Sequence, residues 1–147
     1  MFKHILVPTD GSPASKAALQ SILTLAADNG ATITALHVLP DFHVFNYRPQ
    51  MLEESKEEFM KDTTVHGTAL LAAVSEAAHT RKVPCNTVLL RGDRPHRKIV
   101  ETAQSSGCDL IAMATHGALG LKGVLLGSET HKVLLHSPVP VLVYRPD

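Results

Sequence analysis

The sequence predicts an α/β fold, a parallel five-stranded sheet with helices on both faces, and three observations carry that reading. Short apolar runs rich in Val, Ile and Leu alternate with stretches of helical period. Most of the runs stop at Pro, Gly or Asp. The 147 residues suit one self-sufficient core. Strands that alternate with helices need crossover connections, which are right-handed and produce a parallel sheet. No repeat, low-complexity tract or linker divides the chain, so 1–147 is expected to be one domain.

Ile5-Leu6-Val7, closed by Pro8-Thr9-Asp10-Gly11, reads as a first strand buried on both faces. Ser12 and Pro13 supply an N-cap and a proline at the first helical position, where a missing N–H costs nothing. Ala14, Ala18, Ile22, Leu25 and Ala26 recur at helical spacing as far as Asn29-Gly30, which predicts a helix over 13–29. Thr32 to Val38 is the second strand, stopped by Pro40, and completes a βαβ unit.

Phe42, Phe45 and Tyr47 place half of the chain's 4 Phe and 2 Tyr in the next loop, where such a cluster is expected to cover the core. A long helix is expected over 52–82, bent or broken where Thr63, Thr64 and Gly67 weaken it. Then follow a strand over 86–91 and a helix over 95–106 with Ile99, Val100 and Ala103 inward. A strand over 110–114, a helix over 128–136 and a strand over 139–144 complete the chain. Pro140 favours an edge position for that last strand.

Composition narrows the function classes. Hydrophobic residues at 44% and charged residues at 19% describe a globular chain, and 14 Lys+Arg against 14 Asp+Glu leave no long-range field to attract phosphate backbones or anionic lipid. Neither nucleic-acid nor membrane binding is expected. The apolar run at the N-terminus is too short for a signal peptide and no stretch is long enough to span a bilayer, so a cytoplasmic location is expected. Cys85 and Cys108 form no CxxC pattern and read as reduced structural thiols. The 9 His residues show no HxH or HExxH, so no metal site is expected.

Chemistry concentrates after the fourth strand. In open doubly wound sheets ligands lie beyond the carboxyl ends of the strands, and the stretch from Met113 to Ser128 carries Gly117, Gly120, Gly123 and Gly127 there. Such a stretch lets backbone N–H groups face an anion, and it runs into a helix start at Ser128, where unpaired amides and the positive dipole end converge. No Gly-Lys-[Ser/Thr] opens that helix and no GxGxxG is present, so neither the P-loop nor the dinucleotide fingerprint applies. His116 and Lys122 also fall within it but are equally at home in solvent. After the first strand, Gly11 and Ser12 are accounted for by the turn and the cap, which leaves Asp10 as the spare polar group.

Three stretches taken together resemble the universal stress protein family: Ile5-Leu6-Val7-Pro8-Thr9-Asp10-Gly11-Ser12, Cys108-Asp109-Leu110-Ile111 and Pro138-Val139-Pro140-Val141-Leu142-Val143. The likeness runs over essentially the whole chain. It implies a Rossmann-like sheet, akin to the adenine-nucleotide α-hydrolases, with strand order 3-2-1-4-5. That order sets Cys85 and Cys108 three strands apart, too far for a disulfide.

The ATP-binding branch of that family carries Gly, two residues, Gly, nine residues, then Gly and Ser or Thr. Here Gly117, Gly127 and Ser128 satisfy the pattern, while Ala114 stands in place of the first glycine. By resemblance, Pro8, Thr9 and Asp10 flank base and ribose, Val38 meets the adenine, and Met113 packs below it. Gly117, Gly127, Ser128, Glu129 and Thr130 surround the phosphates of ATP, with magnesium. Ala114 is expected to crowd the ligand, and an overpacked contact of that kind costs roughly 1 to 3 kcal/mol.

The resulting expectation is an ATP-binding regulatory protein of the stress response, acting as a homodimer through 139–144, whose exposed edge would pair with its two-fold mate. The alternative is a nucleotide-independent dimeric interaction module, which Ala114 favours. An enzyme is not expected: the Ser-Gly-Gly and Asp-Ser pattern of the α-hydrolases is absent, and without a positioned base or Walker lysine any ATP hydrolysis should be slow.

Overall fold

The structure is a computed structural model that describes residues 1–43, 49–115 and 127–145, the side chains of 49–54 excepted. Phe45, Tyr47, His116, Gly117, Gly120, Lys122 and Gly123 lie outside the described residues.

The elements run β1 (His4–Pro8), α1 (Pro13–Asn29), β2 (Thr32–Leu39), α2 (Pro49–Thr80), β3 (Cys85–Arg91), α3 (Pro95–Ser105), β4 (Leu110–Ala114), α4 (Ser128–His136) and β5 (Val141–Tyr144). The sheet is parallel with order β3-β2-β1-β4-β5, as expected. Ile5 of β1 stands level with Ile33 of β2 on one side and Leu110 of β4 on the other. Every strand therefore delivers its carboxyl end to the same rim of the sheet.

Alternation along the strands divides the core in two. Ile5 and Val7 of β1 and Ile33 and Ala35 of β2 pack under Ile22, Leu23 and Ala26 of α1 and Leu71, Val74 and Ala78 of α2. Leu6, Leu36, Ile111 and Met113 face the opposite way, toward Ile99 and Ala103 of α3 and Val133 of α4. Each large aliphatic side chain so buried contributes roughly 1.5 to 3 kcal/mol. Val100 does not join them: it is half-buried, and the third inward residue of α3 is Thr102.

The expected break in α2 does not occur. Thr63 donates its hydroxyl to the Phe59 carbonyl at 2.8 Å and Thr64 to the Met60 carbonyl at 2.7 Å, so both polar groups are satisfied on the helix itself. A Cβ on Gly67 would come within 2.8 Å of Leu39 and 2.9 Å of Leu89. That glycine marks where the helix presses on β2 and β3, a packing demand that propensity alone misreads as weakness.

The last strand is shorter than expected. It begins at Val141, with Pro140 ahead of the ladder and its carbonyl accepting from Ile111 N at 3.0 Å. β5 does form a sheet edge, and Leu142 on it is 37% exposed. Phe42, the described member of the aromatic trio, lies against Phe59 of α2 with ring centroids 5.5 Å apart.

Cys85 on β3 and Cys108 just ahead of β4 are both free, and β2 and β1 lie between those two strands. Burial, with some help from Asp109, pushes the Cys108 thiol up to about 11, which keeps it protonated and unreactive near neutral pH. Among the described residues no helix is long and apolar enough to cross a membrane.

Candidate functional site

A cavity of about 450 Å³ opens at the carboxyl ends of β1, β2 and β4. Pro8, Thr9 and Asp10 line it at the end of β1 and Gly127, Ser128, Glu129 and Thr130 at the start of α4, with Val38 of β2 and Met113 of β4 on the same lining. These expected residues are thus brought together from stretches more than a hundred positions apart in sequence.

Ala114 is the exception. Met113 points to the cavity side of the sheet, so its neighbour points to the other, and the Ala114 side chain packs against the core beneath α1 and α2. The expectation that its methyl crowds a ligand is therefore corrected: the methyl is on the wrong face to do so.

The β1 wall is built by its own polar groups. Ser12 caps α1 by accepting from Ser15 N at 3.2 Å, and Gly30 ends the helix in the left-handed conformation at φ 64°. Asp10 is not spare: its Oδ1 accepts from Ser12 N at 2.9 Å and from the Ser15 hydroxyl at 2.7 Å. Gly11, at φ 76°, makes the tight turn between them. The turn is tied to β2 as well, because Thr9 N donates to the Leu36 carbonyl at 2.9 Å and the His37 ring nitrogen Nδ1 donates to the Thr9 carbonyl at 2.8 Å.

The α4 wall is finished in the opposite manner. Its N-cap is Gly127, which has no side chain to accept from the first-turn amides. Thr130, in that first turn, is 4% exposed as a residue and lines the cavity. Ser128 is exposed at the cavity mouth. The unpaired amides and the positive end of the helix dipole meet at this wall.

Glu129 faces away from that role. Its carboxylate accepts from His96 N at 2.9 Å and pairs with His96 Nδ1 at 3.1 Å, and Lys132 lies 3.3 Å from its other oxygen. Burial alone would raise its pKa, but these bonds outweigh burial and hold the carboxyl below its ordinary value. The side chain in effect caps α3, whose own N-cap position, Arg94, makes no side-chain cap bond. Only the backbone of Glu129 remains available to a ligand anion.

Sequence reasoning missed Ser15, Leu36, His37, Pro95, Ile99 and Thr115, all of which line the cavity. Period alone would have found several: Leu36 shares a strand face with Val38, and Thr115 continues the face of Met113. The result is an apolar slot of Leu36, Val38, Ile99 and Met113 between two polar ends, suited to a flat apolar ring carrying polar substituents on either side. Among the described residues no group of three or more His, Cys, Asp or Glu side chains is placed to hold a metal ion.

A sequence model described as the universal stress protein family matches residues 1–145. The chain is 33% identical to universal stress protein YxiE of Bacillus subtilis, over 99% of its own length and 100% of the relative's. It is 28% identical to universal stress protein MJ0577 of Methanocaldococcus jannaschii over 99% of its length and 96% of the relative's. The solved structure of MJ0577 superposes with a TM-score of 0.83, covering 100% of this chain and 98% of that one. The universal stress protein of Archaeoglobus fulgidus in complex with dAMP shares the fold at 20% identity and a TM-score of 0.65, with 96% of each chain covered. On the family match across nearly the whole chain, and on the sheet order and cavity already described, this chain belongs to the universal stress protein family.

Proposed function

We propose that the chain binds an adenine nucleotide, ATP in the first instance, and that it acts as a nucleotide-responsive regulatory protein of the stress response. The observation that carries this is the start of α4: a helix N-terminus without a side-chain cap bond, with Thr130 of its first turn lining the cavity, opening on an apolar slot. An oxyanion accepts from uncapped first-turn amides and from a hydroxyl, and such charge-assisted hydrogen bonds are stronger than neutral ones. On this reading the phosphates meet Ser128, Thr130 and the first amides of α4, the base lies between Val38 and Met113, and ribose hydroxyls approach Asp10. The dAMP complex of the Archaeoglobus relative supports the fold; the ligand assignment rests on the residues named here.

Magnesium would arrive with the phosphates, since this ion commonly keeps its waters and is held by substrate oxygens rather than by an all-protein cage. The protein is proposed as a binder and not an enzyme, and as a homodimer joined along β5, where Leu142 stands partly exposed on the sheet edge. The rival reading, an interaction module without a nucleotide, drew its support from Ala114. With that side chain packed on the far face, nothing at position 114 disfavours a ligand.

Isothermal titration with ATP and magnesium tests the proposal. Saturable heat and a raised melting temperature are expected, and neither effect at millimolar ATP would overturn it. Sedimentation at micromolar protein tests the dimer, with a monomer as the contrary result.

A further inference from the structure

The connection between β4 and α4 starts and finishes at one side-chain hydrogen bond. Gly127 N donates to Thr115 Oγ1 at 2.8 Å, across twelve positions of sequence. Thr115 is 3% exposed, lines the cavity, and sends its own amide to the Tyr144 carbonyl on β5 at 2.8 Å. One residue thus joins the end of the edge strand, the cavity wall and the cap of α4.

Gly127 needs an external partner of this kind. With no side chain it cannot orient its own peptide, and its carbonyl opens the backbone ladder of α4 by accepting from His131 N at 3.0 Å. The amides of Ser128, Glu129 and Thr130 follow at once and have no acceptor within the helix. Whatever fixes the Gly127 peptide fixes where those amides point. A Cβ built on Gly127 would lie 3.5 Å from the Thr115 hydroxyl and 3.9 Å from that of Thr130, so the two hydroxyls flank the same point of the wall. At φ −68° the backbone there is open to any residue, and these distances are ordinary contacts. The described packing therefore gives no steric reason for a glycine.

We infer that Thr115 is a positioning residue for anion binding at the start of α4: its hydroxyl holds the Gly127 peptide and so aims the Ser128, Glu129 and Thr130 amides into the cavity. This deepens the nucleotide reading and rests on it. The residue acts through Gly127 and not by contact with the phosphates.

The test uses the full chain with Thr115→Val, which keeps the branched shape and removes the hydroxyl, and Thr115→Ser, which restores it. Two quantities are measured, hydrogen exchange of the Gly127 amide without ligand, and affinity for ATP beside affinity for adenosine. In Thr115→Val the Gly127 amide should exchange about tenfold faster and ATP should bind about tenfold more weakly, as loss of one hydrogen bond allows, with adenosine little changed. Thr115→Ser should match the wild type in both. A merely structural role would instead weaken ATP and adenosine alike and would lower the melting temperature. Unchanged Gly127 exchange, or unchanged ATP affinity, in Thr115→Val overturns the inference. If the wild type takes up no ATP, the nucleotide reading itself fails, and Gly127 exchange alone decides the clamp. Should the valine variant not fold, Thr115→Ala removes the hydroxyl without pressing a methyl on the amide and is read in the same way.

Discussion

Two helices start on the rim of the same cavity, and their first turns are finished in opposite ways. α1 is closed by its own sequence: Ser12 caps it, Asp10 accepts from Ser12 N, and Ser15 ties back to Asp10. α4 begins at a glycine, makes no side-chain cap bond among the described residues, and sets Thr130 of its first turn on the cavity lining. A third start, that of α3, is closed from outside by Glu129. The contrast teaches where charge can be received. A wall whose donors are already satisfied by a carboxylate suits neutral hydroxyls or a base edge, whereas a wall of open amides suits an anion. The polarity of the cavity thus follows from three lining residues, Asp10, Glu129 and Gly127, more than from its overall shape.

The comparison can be broken most strongly at Gly127. Gly127→Asp would give α4 a cap like that of α1, with a carboxylate accepting from the first-turn amides and repelling phosphate. ATP affinity should drop on the order of a hundredfold while the folded state gains a few tenths of a kcal/mol from the new cap. Calorimetric titration and a melting curve check the two parts. A smaller loss, about tenfold, is expected for Thr130→Val, which removes one donor to the phosphates; since the branched shape is kept, the melting temperature should change little.

On the α1 side the signs reverse. Ser12→Ala should leave ATP affinity near that of the wild type but cost about 1 kcal/mol of stability, a fall of roughly 2 to 4 °C in melting temperature. A large loss of affinity there would mean that the two walls are not distinct. The smallest effect belongs to Ala114→Gly. Because the methyl packs beneath α1 and α2, the substitution should not raise ATP affinity, and it should cost about 0.5 to 1 kcal/mol in strand stability. A gain in affinity, measured by the same titration, would restore the crowding that the sequence suggested.

Much of the architecture was legible from pattern. Strand and helix periods, the Ser12-Pro13 start and the Asn29-Gly30 stop located α1 to the residue, and the apolar runs placed β1, β2 and β4. Pattern failed where tertiary contact overrides local preference. Gly67 looks like a weak point until β2 and β3 are seen pressing on it, and Val100 looks inward although the turn of α3 favours Thr102.

Apart from Ala114 and the undescribed Gly117, the residues singled out from sequence line one cavity, but the bonds they make there were not legible. Sequence alone reads Asp10 as spare and Glu129 as facing the phosphates; Asp10 lines the cavity while holding Ser12 and Ser15, and the Glu129 carboxylate is taken up by His96. The Glu129–His96 bond crosses between elements and leaves no trace in the spacing, whereas the Asp10–Ser12 bond is a local turn that Asp-Gly-Ser could have suggested. Ala114 was misjudged for a simpler reason: alignment to a motif assigns a position but not a face, and the face follows only once Met113 is known to point toward the cavity.

The claim at the centre of this account is that the two walls take different parts of one ligand, the phosphates at α4 and the neutral part at α1. The most direct test is to titrate wild type and Gly127→Asp with ATP and, separately, with adenosine. Gly127→Asp should bind ATP on the order of a hundredfold more weakly and adenosine almost unchanged. Equal losses for both, or no loss for ATP, would contradict it.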